Sequence, residues 1–204
     1  MAALTRGREL LESAISYALT SAGTVTRPVL SSPTPCPGWD LEALLDHLSD
    51  SIAALHEVMA APGTSPSARA HVEADPVTRL HDQSASLLGA CAAAGPTGPT
   101  GSAGRLVAVG DRQLTGSMVA VTGALEITVH GWDIGAACGG PRPVPSGLAV
   151  VLLAVAPFLV TPATRAGLFA RPVRLSIPAG PGDQLVAFLG RQPLPAAGPW
   201  PGRG

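Results

Sequence analysis

Apolar residues recur along much of the chain at the three- and four-residue spacing of helices that pack on one side. From Leu4 to Ala22, the positions Leu4, Leu11, Ile15, Ala18, Leu19 and Ala22 share such a face, and Gly23 supplies a stop. Thr24 to Gly38 interrupt the pattern with Pro, Ser and Thr and read as a loop. Asp40 then stands as an N-cap for a second helix, with a stripe of Leu41, Leu44, Leu45, Leu48, Ile52, Leu55 and Met59 that ends at Pro62–Gly63. His47 lies at the border of that stripe, a position that suits either a cavity or solvent.

A third helix is predicted from about Pro76 to Ala94, followed by a low-complexity loop from Gly95 to Gly104 and a brief hairpin, Arg105 to Thr115, around Gly110–Asp111. Thr115 to Cys138 form a fourth helix, stopped by Gly139–Gly140–Pro141. It is apolar nearly all round, which marks an interior helix, and Gly116, Ala120, Gly123 and Ala124 let neighbours approach closely. Ser146 opens a fifth helix through about Val160; Arg171 begins an extended tail, and a short helix follows from Asp183 to Gly190. The last residues read as loose. Four long helical patterns joined by loops predict an all-α, four-helix bundle with an extra helix and a small C-terminal appendage, as one domain over residues 1–204.

Composition narrows the function more than the fold. With 46% hydrophobic and 13% charged residues in 204, the chain can bury a sizeable core. Its formal net charge of −1 gives no electrostatic reason for nucleic acid or an anionic membrane as partner, and aromatic platforms for stacking bases are scarce. Cys36, Cys91 and Cys138 are odd in number and lack a C-x-x-C, which argues against a disulfide framework or a cysteine zinc site. The most apolar run, Leu148 to Val160, is too short to span a bilayer. With no signal peptide in view, the expected location is the cytoplasm.

The candidate chemistry lies in Leu125 to Gly135, LEITVHGWDIG. Glu126 and His130 are four residues apart, so on a helix they share a face. A carboxylate among such apolar neighbours is costly to bury unless it is paired, hydrogen-bonded or bound to a metal. A local Glu–His pair is one solution. A bundle can also gather ligands from facing helices, and His47 from the second helix can meet Glu126 and His130 from the fourth. Two imidazoles and a carboxylate leave room for water or substrate, as in catalytic zinc and non-haem iron sites. Asp133, three residues after His130, either orients a ligand or caps the helix end. His56, His71 and His81 read as solvated, Cys36 as packing, and Cys91 and Cys138 as small core residues. Arg142–Pro143 reads as surface.

TPCPGWDLEALLDHL (Thr34 to Leu48), followed far downstream by LEITVHGWDIGAACG (Leu125 to Gly139), resembles the DinB-like metalloproteins. More narrowly, it is similar to the metal-binding domain of mycothiol-dependent maleylpyruvate isomerase and its short actinobacterial relatives. AFLGR (Ala187 to Arg191) also resembles the end of the short members, and residues 62–115 are the least diagnostic. The resemblance implies a four-helix bundle holding a divalent metal through His47, Glu126 and His130, with Pro37–Gly38–Trp39 as the loop before the ligand helix.

The function expected on this basis is metal chemistry. A divalent ion (zinc first, nickel or iron as alternatives) activates a thiol or water toward a small electrophilic substrate, and the resemblance suggests mycothiol as the thiol. The full-length isomerase carries a further C-terminal domain that contributes to its active site, and this chain is too short to contain it. The expected reaction is therefore of the isomerase or thiol-transferase type without maleylpyruvate itself as substrate, and the alternative is a thiol-independent isomerisation or cyclisation in secondary metabolism. The rival from a different class is a non-catalytic metal-binding module. An apolar surface on the fifth helix leaves a homodimer open.

Overall fold

A computed structural model describes residues 2–59, 75–93, 106–109, 112–140, 142–175 and 179–193. The expected Pro62–Gly63 stop, the Gly95–Gly104 loop, the Gly110–Asp111 turn, His71 and the C-terminal residues from 194 lie outside them. Helices α1 (Ala2–Ala22), α2 (Leu41–Met59), α3 (Pro76–Ala93) and α4 (Gly116–Ala137) form the bundle. Packing runs α1 on α4, α4 on α2, α2 on α3 and α3 back on α1, which closes a ring of four. This is the all-α four-helix arrangement expected of a DinB-like chain. The hairpin is present too: strands β1 (Leu106–Val109) and β2 (Arg112–Thr115) pair antiparallel ahead of α4.

Helices α2, α3 and α4 each open on a local cap, and α4 also closes on one. The Asp40 carboxylate accepts from the Ala43 amide at 2.9 Å and opens α2, as its N-cap position predicts. Asp75 does the same for α3 through Thr78, with Pro76 at the first helical position. Thr115 caps α4 through the Met118 amide. At its other end α4 closes in a Schellman motif: Gly139 takes φ +89°, its N–H donates to Ala136 O, and the Gly140 N–H donates to Gly135 O.

The expectation that α4 is interior holds. From Gly123 to Ala136 every residue except Glu126 is buried. Burying a side chain such as Leu125, Ile127 or Ile134 contributes about 1.5–3 kcal/mol. Gly131 is what lets α1 come so near: a Cβ there would lie 2.9 Å from the Cα of Ala18. On the same helix as Ala18, Tyr17 donates its hydroxyl to the Arg142 carbonyl at 2.6 Å and ties α1 to the segment after α4.

Beyond the bundle come α5 (Ser146–Leu159), α6 (Pro162–Arg165) and α7 (Pro181–Phe188). The short α6 was not expected. Thr161 and Thr164 build a capping box around Pro162, enough to fold one turn. Helix α7 begins at Pro181, two residues before the predicted Asp183, because proline fits the first helical position. It ends at Phe188, and its Gly190 stop repeats the Schellman geometry of α4, with φ +84° and the Arg191 N–H donating to Val186 O at 2.9 Å. Helix α5 leaves Val150 and Phe158 exposed.

One expectation fails inside α2. His56 is buried, not solvated. It follows Ile52 by four residues and precedes Met59 by three, so helical phase puts it on the core stripe whatever its polarity. His81 is exposed, as expected, and Cys91 is a small core residue.

Candidate metal centre

The site starts at the loop before α2. The Trp39 N–H donates to Cys36 O at 3.1 Å across Pro37 and Gly38, and Gly38 takes φ +81°. Proline second and a left-handed glycine third is the signature of a type II turn. Thr34 secures it: its hydroxyl accepts from the Cys36 amide and donates to Trp39 O. The turn thereby delivers Cys36 and Trp39 to one cavity wall, and the Trp39 ring packs edge-on against His47 at 4.6 Å.

His47 from α2 meets Glu126 and His130 from α4. Its Nε2 lies 3.3 Å from Glu126 Oε1, and the two imidazoles are nearly perpendicular with centroids 5.2 Å apart. One donor atom from each of the three lies within 4.8 Å of the others. Ser51, one turn after His47, donates its hydroxyl to Glu126 Oε1 at 2.7 Å, so the half-buried carboxylate is held from α2. Burial and the neighbouring His130 push the His47 pKa below the ordinary histidine range, and the pull of Glu126 only partly offsets them. At neutral pH His47 therefore carries no charge and keeps a lone pair for a ligand.

Beneath His130 sits a buried polar knot. Asp133 is fully buried; its Oδ2 lies 3.2 Å from His130 Nδ1, and Arg191 grips both its oxygens, Nε to Oδ1 at 3.1 Å and Nη2 to Oδ2 at 2.8 Å. Burial alone would raise the Asp133 pKa. Hydrogen bonds from His130 and Arg191, with the guanidinium charge, outweigh it and hold the carboxyl below its ordinary value. An ionised carboxylate only accepts, so in this contact His130 donates from Nδ1. Of its two expected roles, Asp133 thus takes that of orienting His130. It does not cap the helix.

Cys36 joins the same knot, its thiol donating to Asp133 Oδ2 at 3.3 Å and accepting from Arg191 Nη2 at 3.4 Å. Burial, aided by the Asp133 charge, pushes the thiol up to about 12. A second group of donors, Cys36, His130 and Asp133, is also close, but its carboxylate is committed to Arg191 and its thiol stays protonated. The His47–Glu126–His130 set fits a divalent ion better: two imidazoles and one carboxylate, with one imidazole held by Asp133.

The three side chains border a cavity of about 360 Å³, walled otherwise mostly by apolar residues from α4 and from the segment between α5 and α7. A smaller hollow of about 230 Å³ between α2 and α4 shares Thr122 and Glu126 with it. Arg191 and Ser51 carried no role in the sequence reading. Ser51 had a signal, the four-residue spacing from His47. Arg191 had only its place in AFLGR, because nothing periodic links it to Asp133 across 58 residues.

Comparison with known proteins agrees with this architecture. Two uncharacterized proteins of Mycobacterium tuberculosis, Rv0738 and MT0763, are each 31% identical over 164 residues, covering 79% of this chain and 85% of theirs. No solved structure matches the chain. Among the described residues, no helix is long and apolar enough to cross a membrane. The family model described as the mycothiol maleylpyruvate isomerase N-terminal domain matches residues 11–135, a span that holds the turn, α2 and all three donors, and the chain belongs to that family.

Proposed function

We propose that the chain is a divalent-metal-dependent enzyme of the isomerase or thiol-transferase type, with His47, Glu126 and His130 as its metal ligands. The observation that carries this reading is the convergence of those donors at a cavity while Asp133 holds His130 by its far nitrogen. A divalent ion there would lower the pKa of a bound thiol or water and supply a nucleophile at neutral pH. Membership of a mycothiol-associated family favours mycothiol as the thiol.

The protein's own groups do the rest. Ser51 occupies one oxygen of Glu126 and fixes the carboxylate's direction. Trp39 limits rotation of the His47 ring. The apolar walls exclude water around an electrophile, which strengthens each charge interaction inside. Two hollows meeting at Glu126 give two directions of approach, one for each reactant.

The test is elemental analysis of protein purified without an affinity tag, beside Glu126→Ala, His130→Ala and His47→Ala. Near-stoichiometric divalent metal, lost in the variants, is the expected result. No metal after reconstitution, or metal unchanged in the variants, would remove the mechanism and leave a structural bundle.

A further inference from the structure

We infer that the outer face of α5 is a homodimer interface, on which two copies of this chain pair about a two-fold axis. Apart from Ser146, every residue of α5 is apolar or glycine. Leu148, Ala149, Leu152 and Ala156 face the core, as on any surface helix. The opposite side repeats that chemistry where polar residues belong. Gly147, Val150, Ala154 and Phe158 follow one another at steps of three or four, and all are exposed. Phe158 is 82% exposed and Val150 55%. A helix apolar all round is one that something covers.

Charge and shape both point to a second copy as the cover. From Pro143 to Thr164 the sequence holds no Asp, Glu, Lys, Arg or His. A two-fold axis sets residues beside it against their own copies, so a charge there would meet its like. This face carries none. Helices that lie on membranes, by contrast, present Lys and Arg on a polar face, and α5 has neither the cations nor the polar face.

The relief of the face is also complementary to itself. Phe158 projects at one end of the stripe. At the other end Gly147 leaves a hollow, since a Cβ built there meets nothing within 4 Å. The two lie eleven positions apart, about three helical turns, and so on the same side of the helix. Antiparallel pairing about their midpoint seats each Phe158 over Gly147 of the other copy, with Val150 and Ala154 packed between them.

Size sets the strength of the contact. Fourteen residues make about 21 Å of helix. Half of a cylinder of about 7 Å radius, the helix with its side chains out to the centres of touching waters, offers about 450 Å² per copy. The pair then buries about 900 Å², short of the roughly 1,200–2,000 Å² of stable complexes and within the range of weak, reversible ones. The dimer should therefore dissociate at about 10–100 μM. Leu159 and Val160, at the end of the same helix, line the cavity beside the metal donors, so pairing would brace one wall of that cavity in each copy.

The test is sedimentation equilibrium of the 204-residue chain from about 1 to 500 μM. The average mass should rise from 20.4 kDa toward twice that value. Phe158→Ala removes the projecting ring and Gly147→Leu fills the hollow, and each should weaken association at least about tenfold. Gly147→Leu discriminates most sharply, because added apolar surface would strengthen an unspecific contact. Both positions are exposed, so circular dichroism should find each variant folded as the native chain is. A monomer at every concentration, a dimer unchanged in either variant, or association tightened by Gly147→Leu would each overturn the inference. So would uptake by phosphatidylcholine vesicles in place of pairing.

Discussion

Removing the charge of Asp133 is the most direct way to ask what holds the floor of the site together. Asp133→Asn preserves size and leaves the Arg191 guanidinium charged, 7% exposed and without its counter-ion. Breaking a buried pair from one side costs about 3–5 kcal/mol, because the remaining charge stays desolvated. Here Arg191 keeps its bond to Leu189 O and Asn still accepts one hydrogen bond, so the loss should fall near the lower figure, about 3 kcal/mol. Against a typical total of roughly 5–15 kcal/mol, this is large but compatible with a folded variant. Arg191→Met strands the carboxylate in turn and should cost a similar amount.

In Asp133→Asn/Arg191→Met both charges are gone and an apolar chain fills the space. The double variant should lose clearly less than the sum of the singles, by about 2–3 kcal/mol. Urea unfolding followed by circular dichroism at pH 7, in EDTA so that metal binding contributes nothing, gives all four values. The pH dependence comes from the same pair. Because the folded carboxyl sits below its unfolded value of about 3.9, its contribution is complete above that pH and disappears as pH falls through the folded pKa. The gap between the native protein and Asp133→Asn should therefore close in acid. Single losses under about 1 kcal/mol, strict additivity, or a gap that widens on acidification would each refute the account.

Two neighbouring positions make further predictions. Gly190→Ala should destabilise by about 2–4 kcal/mol in the same unfolding assay, since φ is +84° and the new Cβ would lie 2.7 Å from the Ala170 carbonyl; a change below about 1 kcal/mol would contradict this. Cys36 should alkylate slowly with iodoacetamide at pH 8 because its thiol is pushed up to about 12, and Asp133→Asn should speed the reaction by removing a charge that opposes the thiolate; mass spectrometry of the Cys36 peptide would show otherwise if the rates are equal.

Sequence periodicity was enough for the bundle. The α2 stripe, its Asp40 cap and the all-round apolarity of α4 are local signals, and each has a local physical cause in the structure. Helical phase alone puts Glu126 and His130 on one face, and the resemblance adds His47; the expectation of a buried carboxylate fails, since Glu126 is only half-buried and borders the cavity. His56 was misread by weighing its polarity above its phase. Helix α6 depends on a single capping box at Thr161, too short for any periodic pattern to register. Arg191 depends on a turn, a helix end and a contact to a residue 58 positions earlier, none of which a stripe of apolar residues encodes.

That last contact changes how the site's extent is understood. The family match ends at residue 135, inside α4, and all three donors lie within it. Yet the residue that orients His130 is Asp133, and the charge that keeps Asp133 ionised in the core comes from Arg191, far beyond the match. Arg191 reaches it because Gly190 turns the chain out of α7 in a left-handed conformation, packed so closely on Ala170 that no side chain fits. The extended segment before α7 is tied to that helix as well, with the Val173 N–H donating to Ala187 O. The geometry of one imidazole in the bundle is thus set by a helix stop in the appendage. A change at Gly190 should disturb His130 from outside the bundle, through Arg191 and Asp133, whereas a change at Ser51 should act on Glu126.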